Sequence, residues 1–444
     1  MHSQRIRLWW ENIHHSLWFL PLIFVVAGMG LSWLALHTPA ESLRDSPVAG
    51  WLLHNAGAKH GHDLLANLLS SMITMTALVM SLTMVVLALA ANNLGPRLIP
   101  FFMSSKTTQA THAMFIGTII YLLMTLRVIS EDMPAAEVPV VAITLGSLLV
   151  LLSLIMLIFF LHHLARSIVV DTVIRFVGDS LHQHMERYLA RYCEGQQPEP
   201  LKLEQGFELT LACTGYVQAI DEPRLLALLE ERNAQLNLTI RPGNYLLAGA
   251  KIGQLAPANL KEDETFLCRL RDMIKLGGEP TPLQDIEFEF RQLVEIALRA
   301  LSPSLFDPFT AIRVIDKTSA VLQQAAGLNA GFYGASDSKG TLRLTLPISN
   351  LLRLLDLAYT QIRHAGANMP EVLIHLLKSF NALAYLSRDP TYMRTLHQHA
   401  ELIMQAAEKN LPEPALIERV RKSFDLLCEA ISNARPDLPD TVMR

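Results

Sequence analysis

Long apolar runs dominate the first third of the chain, and mixed polar and apolar rhythms follow. A transmembrane helix needs about 20 mostly apolar residues to cross about 30 Å of hydrocarbon. Four segments meet that need: Leu17–Leu36, Leu64–Ala91, Ala113–Ile129 and Val138–Leu161. The second carries no charge, and at about 1.5 Å per residue it exceeds a bilayer core, so it must tilt or protrude. The third is shorter and holds Arg127; the fourth is again charge-free. Arg5 and Arg7 precede the first run as in a signal peptide. That run is longer than a typical h-region of about 7–15 residues, and no clean A-x-A site follows it, so it reads as an uncleaved anchor.

Beyond the fourth run the rhythm becomes that of amphipathic elements. Ile168, Val169, Thr172, Val173, Phe176 and Val177 continue a helix. Asp171, Arg175 and Asp179 recur every four residues on one of its faces. The pattern predicts a stalk helix to about Arg191 and a linker at Cys193–Pro200. Strands are predicted at Phe207–Cys213, Tyr216–Ile220, Asn237–Ile240 and Tyr245–Ala248. The last two would be joined by the turn Arg241-Pro242-Gly243-Asn244. Asp221 caps a helix through Arg232, with Pro223 tolerated in its first turn.

From about Lys261 the chain reads as mainly helical. In Glu287–Leu301 the face Glu287, Arg291, Glu295, Arg299 opposes Phe290, Val294, Ala297 and Leu301. Asp307-Pro308 starts a helix to about Gln324, and Thr341–Leu346 alternates as half of a hairpin. Helices are predicted at Ile348–His364, Glu371–Leu386, Thr391–Lys409 and Pro414–Ala434. The fold class is an α-helical polytopic membrane domain with four transmembrane helices, plus a mixed, mainly helical α+β cytosolic domain. Its expected parts are a membrane domain (1–164), a stalk helix (165–192), a small α/β unit (201–256) and a mainly helical domain (257–444).

Charge decides the expected orientation. Arg5 and Arg7, Arg97 and Lys106, and Arg166 and Arg175 lie on one side. The connection between the third and fourth runs holds Glu131, Asp132 and Glu137 and no base. The positive-inside rule then places both termini in the cytoplasm, with the loop Thr38–Asp63 outside. Charged residues are 18% of the chain, against about 25% in soluble domains. A net charge of −4 gives no footing for nucleic acid. Cys193, Cys213, Cys268 and Cys428 form no CxxC pair and fit free thiols in a reducing compartment.

Candidate chemistry is sparse. No phosphate-binding glycine loop, nucleophile elbow or HExxH occurs, so no enzyme and no cofactor is expected. His60, His62 and Asp63 cluster near His54 and offer zinc-ligand types, although histidines at an interface are commonly just solvated. Within the second run, Ser70, Thr74, Ala77, Ser81 and Ala88 fall near one helix face. Such a stripe can line a hydrated pore, or it can let helices approach closely. Arg127 can snorkel to headgroups or pair with Glu131 or Asp132, and it can also attract anions or gate. Asp221 and Asp307 read as helix caps.

Five runs together resemble a bacterial family of predicted membrane proteins, catalogued as domain of unknown function 2254. They are NNLGPR (Asn92–Arg97), GTIIYLLMTLR (Gly117–Arg127), TGYVQAID (Thr214–Asp221), RPGNYLLAG (Arg241–Gly249) and ALRALSPSLFDPFTA (Ala297–Ala311). One departure is Ser304-Leu305-Phe306, where the family pattern has an alanine, an aliphatic residue and an asparagine. The resemblance implies a bacterial inner-membrane location and no particular activity. The leading expectation is an oligomeric inner-membrane ion channel or channel-like pore. Ser70, Thr74 and Ser81 would line it, and the cytosolic domain would assemble and gate it. The alternative is a membrane-anchored binding or regulatory module. Expected partners are the lipid bilayer, further copies of the chain and small ions, and no nucleic acid.

Overall fold

The computed structural model describes residues 19–38, 58–95, 103, 105–130, 132–134, 137–167, 170–193, 199–325, 328, 331–385 and 390–434. It divides into two compact units, Met1–Thr172 and Val173–Arg444.

The N-terminal unit is built from α1 (Phe19–His37), α2 (Ala58–Leu94), α3 (Lys106–Leu126) and α4 (Val140–Ser167). All four are long and apolar enough to cross a membrane. Leu22, Val26, Trp33, Leu78, Met84, Ile158 and Phe159 are each more than half exposed. Water does not tolerate such a surface, whereas lipid solvates it.

Small residues bring α1 and α3 together. A Cβ on Gly28 would stand 2.6 Å from the Gly117 carbonyl oxygen, and one on Gly117 would stand 3.0 Å from that of Phe24. Nearer the other end Ser32 and Thr125 share a buried hydroxyl hydrogen bond of 3.0 Å. The matched order of these contacts makes α1 and α3 parallel. On α2 the buried positions Ala58, Leu65, Met72, Val79 and Val86 recur every seventh residue, the seam of a coiled-coil-like contact. Between α3 and α4, the Tyr121 hydroxyl donates to the Ala142 carbonyl at 2.9 Å. Thr118 and Ser153 bond at 3.2 Å.

Two features differ from the sequence expectations. The second helix begins at Ala58, so His60, His62 and Asp63 lie in its first turns rather than in a loop. The third begins at Lys106, because the Ser105 hydroxyl caps it by accepting from the Thr108 amide at 3.5 Å. It ends at Leu126, so Arg127 occupies the C-cap rather than the helix interior.

In the C-terminal unit α5 (Val170–Tyr192) buries Val173, Ile174, Val177, Leu181, Met185, Tyr188 and Tyr192 along one side. The strands are β1 (Phe207–Thr210), β2 (Gly215–Ile220), β3 (Gln235–Leu238), β4 (Tyr245–Leu246), β5 (Lys251–Ala256), β6 (Ile274–Gly277), β7 (Phe332–Ser336) and β8 (Leu342–Pro347). They form one sheet in the order β1-β5-β3-β8-β7 and a second in the order β4-β2-β6. Among the described strands only β3–β8 is parallel, with Leu236 opposite Leu344.

The expected hairpin across Arg241–Asn244 is not formed, since β3 and β4 belong to different sheets. The turn transfers the chain between sheets, and β3 pairs instead with β5, which the sequence reading left out. Two short alternating segments flanking a strong turn read as a hairpin, but pairing depends on what else offers an edge.

The helices of this unit are α6 (Glu222–Glu231), α7 (Glu264–Arg271), α8 (Ile286–Ala300), α9 (Pro308–Gln324), α10 (Leu351–Ala365), α11 (Pro370–Ala384), α12 (Pro390–Asn410) and α13 (Pro414–Ala434). Several caps are those expected. Asp221 accepts from the Arg224 amide at 3.4 Å, and Asp307 from the Thr310 amide at 3.1 Å. Phe290, Leu293, Ile315, Leu354, Tyr359, Leu376 and Phe380 are buried in the helical core.

Candidate functional site

In the N-terminal unit the polar stripe of α2 lies opposite its seam. At 100° per residue, Ser70, Thr74, Ala77, Ser81 and Ala88 project about 180° away from Leu65, Met72, Val79 and Val86. All five are exposed. Packing among the described residues therefore does not consume the stripe. The Thr74 hydroxyl donates to the Ser70 carbonyl at 3.0 Å, and Ser71, Thr76 and Thr83 likewise bond back one turn. Back-bonding satisfies these hydroxyl hydrogens and leaves the oxygen lone pairs free.

The other candidates of this unit do not converge. Arg127 is exposed and has no ion-pair partner among the described residues; Glu131 lies outside them. His60 and His62 are two residues apart on a helix, so they project about 200° apart. His62 Nδ1 stands 3.9 Å from an Asp63 carboxylate oxygen. Among the described residues no group of three His, Cys, Asp or Glu side chains could hold a metal.

The C-terminal unit contains a site that sequence reasoning missed. Glu287 falls on the charged face of its helix by periodicity, yet it is 1% exposed. Three guanidiniums converge on it: Arg353 at 2.5 Å, Arg291 at 2.6 Å and Arg241 at 2.8 Å. The Ser349 hydroxyl donates to it at 2.7 Å. Asp285 caps α8 by accepting from the Glu287 amide at 3.0 Å and pairs with Arg291 at 3.2 Å.

Burial works against the Glu287 charge, but the bonds from Arg353 and Ser349 and the positive charge of Arg241 hold its carboxyl below the usual range. Burial instead pushes the Asp285 carboxyl up, against the opposing pull of Arg291, and pushes the Arg241 guanidinium down. Tyr188 ties the centre to α5: its hydroxyl accepts from the Ser349 amide at 2.8 Å.

The cleft beside this centre is lined by Tyr188, Tyr192, Arg241, Pro242, Asp285 and Ser349, and it has room for about one water molecule. Both oxygens of Glu287 are already engaged by donors, so it is not a free base. The arrangement is an ion-pair staple joining α5, the 241–244 turn, α8 and α10.

Two further buried carboxylates pin α5. Glu289 accepts from Ser180 at 2.6 Å and lies 2.9 Å from His184 Nδ1. Glu222 accepts from the Tyr192 hydroxyl at 2.8 Å and pairs with Arg191 at 3.0 Å. Burial raises the Glu222 carboxyl, with Arg191 and Tyr192 opposing.

The profile of the family described as Predicted membrane protein (DUF2254) matches residues 14–382. This chain belongs to the DUF2254 family. It is 30% identical over 416 residues to the uncharacterized protein Mb1321c of Mycobacterium bovis and to the uncharacterized protein Rv1290c of Mycobacterium tuberculosis. Each alignment covers 91% of this chain and 78% of the relative. No solved structure matches.

Two of the runs that carry the DUF2254 resemblance meet in the C-terminal unit. TGYVQAID contains β2, and RPGNYLLAG contains both the turn and β4; Tyr216 pairs with Tyr245 and Gly215 with Leu246. Gly243 donates its amide to the Val217 carbonyl at 2.8 Å. Its φ is +89°, and an added Cβ would collide with the Asp285 carboxylate, so this turn requires glycine. Arg241 of the same run supplies one of the guanidiniums on Glu287. The signal that could have found the centre was this arginine beside a turn glycine. Its partner, however, lies 46 positions further along the chain.

Proposed function

We propose that this DUF2254 protein is an oligomeric pore of the bacterial inner membrane. The face of α2 bearing Ser70, Thr74 and Ser81 lines its conduit. Both termini are cytoplasmic, and the C-terminal unit assembles and gates the oligomer. The supporting observation is the position of the stripe. It is exposed, it lies opposite the intramolecular seam, and it carries hydroxyl lone pairs suited to a permeating cation. In hydrocarbon a polar stripe seeks cover from water or from another protein surface. Several copies arranged about an axis supply the water. Arg127, at the outer end of α3 in this orientation, acts on ion access or gating. The reading assigns no catalytic role.

Purified protein in liposomes should pass monovalent ions, and Ser81→Leu and Thr74→Leu should reduce the flux without changing the oligomer's mass. No flux across a range of salt, pH and voltage would remove the proposal. The second reading is a membrane-anchored regulatory module. It draws support from the Glu287 staple, which fixes α5, the helix following span four, to the rest of the C-terminal unit. In that case the leucine variants disturb assembly and no conductance exists to lose.

A further inference from the structure

The Glu287 centre carries more positive charge than it consumes. Guanidiniums stay protonated, so Arg241, Arg291 and Arg353 bring three positive charges to one place. Among the described residues only Glu287 and Asp285 pair with them.

The donors are in surplus too. A guanidinium has five N–H groups. Arg353 gives Nε and Nη2 to Glu287, at 2.5 and 3.5 Å. Arg291 gives Nη2 to Glu287 at 2.6 Å and Nη1 to Asp285 at 3.2 Å. Arg241 meets Glu287 through Nη2 at 2.8 Å. Arg353 Nη1, Arg291 Nε, and Arg241 Nη1 and Nε meet no acceptor among the described residues. Nor are the guanidiniums sealed in. The side chains of Arg353, Arg291 and Arg241 are 53%, 31% and 13% exposed, whereas those of Glu287 and Asp285 are 1% and 3% exposed. The acids lie beneath, and the unused donor edges reach solvent.

Glu287 also sets the spacing. Arg291 Nη2 and Arg353 Nη2 approach the same oxygen, Oε2, at 2.6 and 3.5 Å, so the two nitrogens are at most about 6 Å apart. Arg353 Nε and Arg241 Nη2 share Oε1 at 2.5 and 2.8 Å, and are at most about 5 Å apart. One oxyanion group can bridge neighbouring forks at such separations through charge-assisted bonds of about 2.7–2.9 Å. The forks are already held by Glu287, so binding costs little further side-chain freedom.

We propose that Arg241, Arg291 and Arg353 form an anion site for the phosphate group of a small soluble ligand, with Glu287 as the scaffold that holds the three forks. Phosphate is favoured over carboxylate by number. It offers three acceptor oxygens to three guanidiniums, and its charge offsets the uncompensated one. The site is distinct from the pore reading and does not depend on it. A bound phosphate would also tighten the centre. Ser349 donates to Glu287, and its amide donates to the Tyr188 hydroxyl of α5, so the effect reaches α5.

The test is calorimetric titration of the full-length protein in detergent micelles, with inorganic phosphate and with glycerol 3-phosphate, at constant ionic strength in chloride. Arg353→Gln removes the most exposed fork while Arg241, Arg291 and Ser349 still hold Glu287. Arg353→Lys keeps the charge and loses the fork. Arg269→Gln removes an exposed arginine paired with Glu231 and controls for net charge. The expected result is saturable binding that weakens at least about tenfold in Arg353→Gln and in Arg291→Gln, the loss of one good charge-assisted bond. Arg353→Lys should weaken it several-fold and Arg269→Gln not at all. The tighter of the two probes tells whether the bare ion or a phosphomonoester fits the site. Should Arg353→Gln fail to fold, Arg353→Lys decides: a several-fold loss supports the site, and no loss overturns it. Absence of binding by the unmodified protein up to about 10 mM of either probe would overturn the proposal. So would equal weakening in Arg269→Gln and Arg353→Gln, which would mark a general charge effect.

Discussion

The two units solve the same problem of burying polar groups in opposite ways. In the N-terminal unit the helices meet through Gly28 against Gly117 and through neutral hydroxyl pairs, Ser32 with Thr125 and Thr118 with Ser153. In the C-terminal unit buried carboxylates, Glu222, Asp285, Glu287 and Glu289, join helices and turns through ion pairs and hydrogen bonds. The surroundings explain the difference. Between lipid-embedded helices there is no hydrophobic drive, so close backbone approach and modest hydrogen bonds carry association. The C-terminal unit, whose helices are amphipathic around an apolar core, gains its energy from apolar burial and can bear the desolvation of a few charges, provided that every one is paired.

The largest effect should come from breaking the ionic side of the contrast. Glu287→Ala leaves three guanidiniums facing an empty position and should cost about 3–5 kcal/mol, read by pulse proteolysis of the full-length protein in urea. On the lipid side, Gly117→Leu forces α1 and α3 apart and should cost about 1–3 kcal/mol. Disulfide trapping between cysteines placed on α1 and α3 reports the separation directly, because the native cysteines all lie in the C-terminal unit.

Phe306 has φ +47°, and Phe306→Asn removes this left-handed phenylalanine. It should raise stability by about 1 kcal/mol in the same proteolysis measurement. The smallest effect is the coupling of Ser32 with Thr125, about 0.6 kcal/mol by a double-mutant cycle in micelles.

Acidity separates the carboxylates of the C-terminal unit from one another. Glu287 has a folded pKa below its ordinary 4.5, so the stability it contributes is present above that value and is lost as pH falls through the lower one. Glu222 is shifted the other way, so its contribution declines as pH rises from the ordinary value through the raised one. Unfolding measured across the carboxylate range should therefore show a shallower acid loss in Glu287→Gln. In Glu222→Gln the loss on the alkaline side should be weaker. The same slope in both variants would contradict these assignments.

Local signals were read well where one short segment holds the whole cause. The four apolar runs became four membrane-length helices, and Asp221 and Asp307 cap the helices they were expected to cap. Pro308–Gln324 and Pro414–Ala434 have the bounds their punctuation predicts. The stripe Ser70–Ser81 was visible because helical periodicity alone puts those residues on one face.

Glu287 was assigned to the charged face because its i+4 partner Arg291 lies there too. Its burial depends on Arg241 and Arg353, which come from a turn and a helix distant in sequence. The Arg241–Asn244 turn was likewise identified, but its strands were wrongly paired. A turn specifies a reversal, whereas the edge that a strand joins depends on competing strands such as β5 and β8.

The amino-acid order by itself determined how many times the chain can cross a bilayer, where most of its helices start and stop, and which family it belongs to. Those properties follow from hydropathy, backbone propensity and capping, which act over one or two helical turns. Only the tertiary structure decided that the α2 stripe faces away from its own bundle, that two sheets share one turn, and that Glu287 is enclosed by arginines. Each of these depends on surfaces brought together from distant segments, and burial converts such proximity into energy.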